Sequence, residues 1–96
     1  MKVRYSKLAL AELDAILSDL DAKNPAAAQR LEDRIRQVSE RIGRFPQGFQ
    51  EVAERSGVRR VPLVRYAFLI FYKIFAGEVI VLRVAHGARK EPWENL

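Results

Sequence analysis

Hydrophobic positions recur along this chain at two different periods, and the change from one to the other divides it into two parts. From Leu10 through Leu13, Ile16/Leu17 and Leu20, apolar residues return every three or four positions, the spacing of one helix face. Ser6 precedes this run and offers an oxygen to the first free N–H groups, so a helix is predicted from there to about Asp21. Asn24-Pro25 restarts the pattern, with Asn as cap and Pro at the first helical position, where its missing N–H costs nothing. Ala28, Leu31, Ile35, Val38 and Ile42 then form a second stripe, and Gly43 is placed to end it. With about three residues between them, the two helices must run antiparallel. Their apolar stripes cannot satisfy each other alone, so a sheet is needed to cover them.

The strands supply that sheet. Lys2 to Tyr5 is a short strand candidate, and Arg44 to Gly57, with Pro46, Gly48 and Gly57, reads as a loop. Three further strands are expected at roughly Val58–Leu63, Tyr66–Phe75 and Glu78–Ala85, with Ala76-Gly77 marking a tight hairpin between the last two. Both faces of that hairpin are apolar. One goes against the helices; the other, carrying Tyr66, Phe68 and Tyr72 or their alternates one register step away, is expected to stand open. The order β-α-α-β-β-β describes an α+β fold: a short N-terminal strand, an antiparallel helical hairpin, then a three-stranded antiparallel sheet. Residues 1–96 are expected to form one domain with one core.

Composition narrows the chemistry. Hydrophobic residues make up 49% of the chain and charged ones 30%, which excludes a disordered polar segment. The absence of cysteine removes disulfides, thiolate catalysis and thiolate metal sites. A single histidine with no carboxylate cluster at ligand spacing argues against a zinc site, and no cofactor is expected. Lys2 and Arg4 are not followed by an apolar run, so no secretory signal is read there. The longest apolar stretch, Tyr66 to Phe75, is interrupted by Lys73 and falls short of the ~20 residues that a membrane span needs. The reading is a soluble cytoplasmic protein. Its 17 Lys/Arg exceed its 12 Asp/Glu by 5, and the excess is uneven: from Arg55 to Lys90 there are eight basic residues against Glu78 alone. A sheet edged with arginine is suited to meet an anion, either nucleic acid or an acidic protein.

Individual residues can then be weighed. His86 is the only imidazole, so any acid–base proposal passes through it, although a histidine ending an apolar strand more often packs or caps. Arg59 and Arg60 are strand neighbours and point to opposite faces. Arg83 lies inside an apolar strand, where it either snorkels or pairs with an acid such as Glu78 or one from a partner. Arg89, just beyond that strand, is a candidate for phosphate or carboxylate contact, and Trp93 is read as a tail aromatic docked on the sheet rather than stacked on a base. Glu12, Asp14, Asp19 and Asp21 read as the solvated face of the first helix.

Tyr5-Ser6, Asn24-Pro25-Ala26-Ala27-Ala28, Phe45-Pro46-Gln47-Gly48, Val58-Arg59-Arg60-Val61 and Arg83-Val84-Ala85-His86-Gly87-Ala88-Arg89, in that order and spacing, resemble the RelE/ParE toxin superfamily over essentially the whole chain. The resemblance implies a toxin of a bacterial toxin–antitoxin pair, bound by an acidic cognate antitoxin, with a complex that can assemble further. Within the superfamily, RelE-like members cut mRNA on the ribosome and ParE-like members poison DNA gyrase. Metal-free RNA cleavage needs a base, an acid and cations for the phosphorane. Aligned by motif, Arg89 falls on the tail arginine, but Trp93 stands where a catalytic tyrosine is found, and Leu69 where a central-strand arginine is found. Tryptophan neither donates nor accepts a catalytic proton. The ParE-like branch is therefore the reading preferred here. No catalytic residues are then expected, and Arg59, Arg60, Arg83, His86, Arg89 and Trp93 are candidates for contact with target or antitoxin. The rival RelE-like reading, a ribosome-dependent mRNA endoribonuclease, would use Arg89 with His86, Arg59 or Arg60. A member without toxicity that only binds its antitoxin is the third reading.

Overall fold

The computed structural model describes residues 1–87 and contains six elements: β1 (Val3–Tyr5), α1 (Lys7–Lys23), α2 (Pro25–Arg44), β2 (Val58–Pro62), β3 (Phe68–Phe75) and β4 (Glu78–His86). Each helix begins where a polar side chain can close its first turn. Ser6 Oγ accepts from Ala9 N at 3.0 Å, and Asn24 Oδ1 accepts from Ala27 N at 3.1 Å. Gly43, however, does not stop α2, which continues to Arg44 and is closed by Phe45 N–H donating to Arg41 O. The glycine is required for another reason: a Cβ there would stand 2.9 Å from the Met1 carbonyl oxygen. The Met1 ammonium donates to Gly43 O at 2.8 Å, so the chain's first residues lie directly on this helix.

The sheet order is β1-β4-β3-β2. β1 runs parallel to β4, with Val3 opposite Val79, and the other pairings are antiparallel. The N-terminal strand thus makes the sheet four-stranded and mixed. Ala76 (φ 51°) and Gly77 (φ 76°) both take the left-handed conformation that a two-residue hairpin between right-twisted strands demands. β3 begins at Phe68 rather than Tyr66, because residues 63–66 form a turn in which Tyr66 N donates to Leu63 O at 2.9 Å.

The register shifts between Phe71 and Tyr72, where Tyr72 faces Val81 but Phe71 faces Arg83, leaving Leu82 as the extra residue of a bulge. β3 itself alternates without interruption, and the residues expected on an open face are on the helix-facing one. Tyr72 is fully buried on the helix side, in a core with Leu31, Ile35, Val38, Ile42, Ile70 and Val79, and Tyr66 and Phe68 pack half-buried against it. On the other face Phe71 is fully buried too, within a second cluster formed with Val52, Val58 and Ala85. Part of that cover comes from the loop before β2: Arg60 N donates to Gln50 O at 3.0 Å and Val52 N to Val58 O at 2.7 Å. Glu51 also accepts the Gly57 N–H, which closes the loop on itself. The apolar surplus lies elsewhere, at exposed Met1, Leu8, Leu10, Phe45, Val64 and Phe75.

Candidate functional site

β1 ends opposite Val81, so among the described residues no strand borders the outer edge of β4 from Leu82 onward. Unpaired backbone groups on such an edge must find other partners. The beginning of α1 provides them. Ser6 N donates to Val81 O at 2.9 Å, and Ser6 Oγ donates to Leu82 O at 3.0 Å. One turn further along, the Glu12 carboxylate accepts the Val84 N–H at 3.1 Å. The same carboxylate takes Arg83 Nε at 2.9 Å and Nη2 at 2.6 Å, a two-pronged ion pair whose side chains are only 7% and 17% exposed. The Glu12 bond holds the Arg83 guanidinium in its charged form more firmly than usual. Glu12 is therefore not part of the solvated helix face, and the acid that Arg83 meets within the chain is Glu12 rather than Glu78. Glu78 pairs with Arg4 instead, at 3.3 Å on the surface.

Arg59 is half-buried, and its Nη1 donates to the carbonyls of Phe49 at 2.6 Å and Gln47 at 3.3 Å. Tyr72 Oη donates to Pro46 O at 2.6 Å, so the two cross-strand partners together pin the 45–50 segment. Burial pushes the Tyr72 phenol above its ordinary value, with the nearby Arg59 charge pulling the other way. Burial likewise raises Tyr5, whose hydroxyl shares a hydrogen bond with Ser39 on α2. Arg60 is exposed, as the alternation along β2 requires. His86 is exposed at the end of β4, with its ring edge-on to Phe68 at 5.6 Å between centroids. The neighbouring Gly87 N–H ties the chain to Ala67 O at 2.6 Å.

The four sequence candidates among the described residues are therefore dispersed. Arg60 and Arg83 both sit in the row of Phe71, on strands either side of β3 and so about 10 Å apart. His86 lies three residues along, opposite Phe68, a further ~10 Å. Arg59 is committed to main-chain carbonyls, and Arg83 to Glu12. Arg89 and Trp93 lie outside the described residues. Among the described residues, no group of three His, Asp or Glu side chains could hold a metal ion, and no helix is long and apolar enough to cross a membrane.

A family model described as the ParE toxin of the type II toxin–antitoxin system parDE matches residues 3–91. The chain belongs to the ParE toxin family. No curated protein matches it significantly. Among solved structures, a chain of the chromosomal ParDE TA system from P. aeruginosa superposes with a TM-score of 0.68 over 90% of this chain and 95% of that one, at 24% identity. At that identity the likeness bears on the fold. The β-α-α-β-β-β fold of this chain is thus shared with that solved structure. Two things in the site were not read from the sequence. One is the Glu12–Arg83 pair, whose partners lie far apart in the chain; the other is the role of Arg59 as a loop anchor.

Proposed function

We propose that this ParE-family toxin acts by binding, inhibiting DNA gyrase and being neutralised by a cognate antitoxin. The observation that carries this reading is the dispersal of the candidate catalytic groups. RNA cleavage would need a base, an acid and a cation within hydrogen-bond reach of one phosphate. Here His86, Arg59 and Arg60 lie on separate parts of the sheet, and Arg59 already serves two carbonyls. The test is a supercoiling and cleavage-complex assay with purified gyrase, with mRNA 5′ ends mapped on translating ribosomes in parallel. Loss of supercoiling with unchanged mRNA ends is the expected result. Unimpaired supercoiling at toxin excess, with new mRNA ends, would favour the ribonuclease reading.

The antitoxin side of the proposal has a physical counterpart in the exposed apolar surface. A broad recess of about 650 Å³ lies between β1 and the C-terminal half of α2, lined among others by Met1, Val3, Arg44 and Phe45. Phe45 is 62% exposed and Met1 54%, an unusual pair of greasy residues beside a cation. An acidic amphipathic antitoxin segment would bury the aromatic ring as an anchor and meet Arg44 at the rim. Phe45→Glu is expected to weaken antitoxin binding by at least about 2 kcal/mol, the size of an interface anchor. Calorimetric titration of toxin variants with antitoxin checks this, and a variant that binds as tightly as wild type would move the antitoxin off this recess.

A further inference from the structure

Arg30 and Arg34 stand one helical turn apart on α2, and both line a cavity of about 410 Å³ closed on the other side by Val64, Arg65 and Tyr66. The three guanidiniums carry no side-chain hydrogen bond or ion pair among the described residues. This contrasts with Arg4, Arg36 and Arg83, all of which are paired. The one carboxylate in the wall, Asp33, is already engaged by Arg36 at 3.4 Å and by the Gln29 amide at 3.1 Å. Arg34 is half-buried along the wall of the hollow, and no carboxylate pairs with it among the described residues. Arg65 is a non-glycine residue held at φ 74°, a conformation that costs free energy and recurs where side chains are aimed at a ligand. Three like charges around one hollow repel one another, and an anion between them relieves that repulsion.

The cavity does not end there. A second hollow of about 280 Å³ shares Arg34, Gln37 and Val64 with it and adds Arg41 and Phe49. Arg30, Arg34, Gln37 and Arg41 follow at helical spacings of four, three and four, so the trough runs about 16 Å along α2. Arg41 already lies over the Phe49 ring at 5.8 Å, and Tyr66 offers a half-exposed aromatic wall at the other end. A trough of guanidiniums interleaved with aromatic rings is suited to phosphate oxygens with bases against its walls.

The geometry points to a phosphoryl-binding site in this trough, with Arg30, Arg34 and Arg65 as the phosphate ligands. This site is separate from the sheet residues and the β1 recess discussed above and does not depend on them. Free nucleotides and a single nucleic-acid strand present the same chemistry, and the length of the trough fits a strand with more than one phosphate. The test uses the purified chain with two probes: a labelled single-stranded oligonucleotide followed by anisotropy over a range of salt, and a nucleoside triphosphate followed by calorimetry. The triple variant R30Q/R34Q/R65Q removes the three charges and keeps a polar side chain at each position, and K2Q/R55Q removes exposed charge from the sheet side. The triple variant is expected to lose about tenfold or more in affinity, and its log K against log salt slope should fall by about 2, at roughly 0.7 per phosphate contact. The sheet-side variant should match wild type, and circular dichroism confirms that both fold. Binding of the oligonucleotide or of the triphosphate identifies the source of the phosphate. A wild type that binds neither, a triple variant that binds like wild type, or equal displacement by poly-glutamate overturns the assignment; the last outcome would give the trough to a carboxylate-bearing protein.

Discussion

Glu12→Ala is expected to lower the unfolding free energy by roughly 3–5 kcal/mol, the cost of leaving a buried charge without its partner. Glu12 takes two guanidinium donors and a main-chain N–H, so its loss removes this carboxylate from both Arg83 and Val84 at the edge of β4. A domain of this size has about 5–15 kcal/mol in total, so the change removes a large part of its stability. Two companion variants separate charge from shape. Glu12→Gln leaves an oxygen for the Val84 N–H and should cost less than alanine. The double variant E12L/R83M replaces the ion pair with apolar volume and should recover most of the loss, short of about 1 kcal/mol for the unpaired amide. Urea denaturation of the four proteins measures all of this. A Glu12→Ala midpoint indistinguishable from wild type would mean that the pair is solvated and does not close the edge.

Tyr72→Ala should cost a similar 3–5 kcal/mol, here through a cavity. The ring is fully buried among the α2 stripe and is met edge-on by Phe49 at 6.3 Å, so nothing nearby can collapse into the gap without moving α2. Tyr72→Phe keeps the ring and removes only the bond to Pro46 O, for about 1 kcal/mol. The two variants should differ in hydrogen exchange as well. Phenylalanine is expected to speed exchange in residues 45–50 alone, while alanine speeds it across the sheet. If phenylalanine proves as costly as alanine, the hydroxyl and not the ring holds this corner.

The contrast between those two residues and the helix caps shows which parts of the molecule the sequence could disclose. As caps and turn, Ser6, Asn24-Pro25 and Ala76-Gly77 act on backbone groups within a few positions of themselves, so local spacing reveals those roles, though not the bonds of Ser6 to Val81 and Leu82. The stripe from Ala28 to Ile42 is legible for the same reason, because one helix face sees one core. Gly43 misled because its neighbour is Met1, and no local pattern announces a contact across the whole helical hairpin. The sheet faces misled because alternation along β3 separates Phe68, Ile70 and Tyr72 from Leu69 and Phe71 without saying which set meets the helices, and because Val52 covers the second face from a distant loop. Arg83 lay in an apolar strand with its acid on the first helix, so its burial could be suspected but its partner could not be chosen. The trough along α2 had a visible signal in the arginine spacing at 30, 34 and 41. What hid it was the weight given to the basic residues after Arg55.

The parallel seat of β1 also governs when this molecule can come into being. Val3 has its place beside Val79, and everything between them, both helices and two strands, must leave the ribosome before that seat exists. Such distant pairings form late in folding. A nascent chain therefore remains an incomplete body, with its earliest segment dangling, until translation has passed β4. The toxin's sheet is therefore closed by the segment made first only once the segment made last among its strands has emerged.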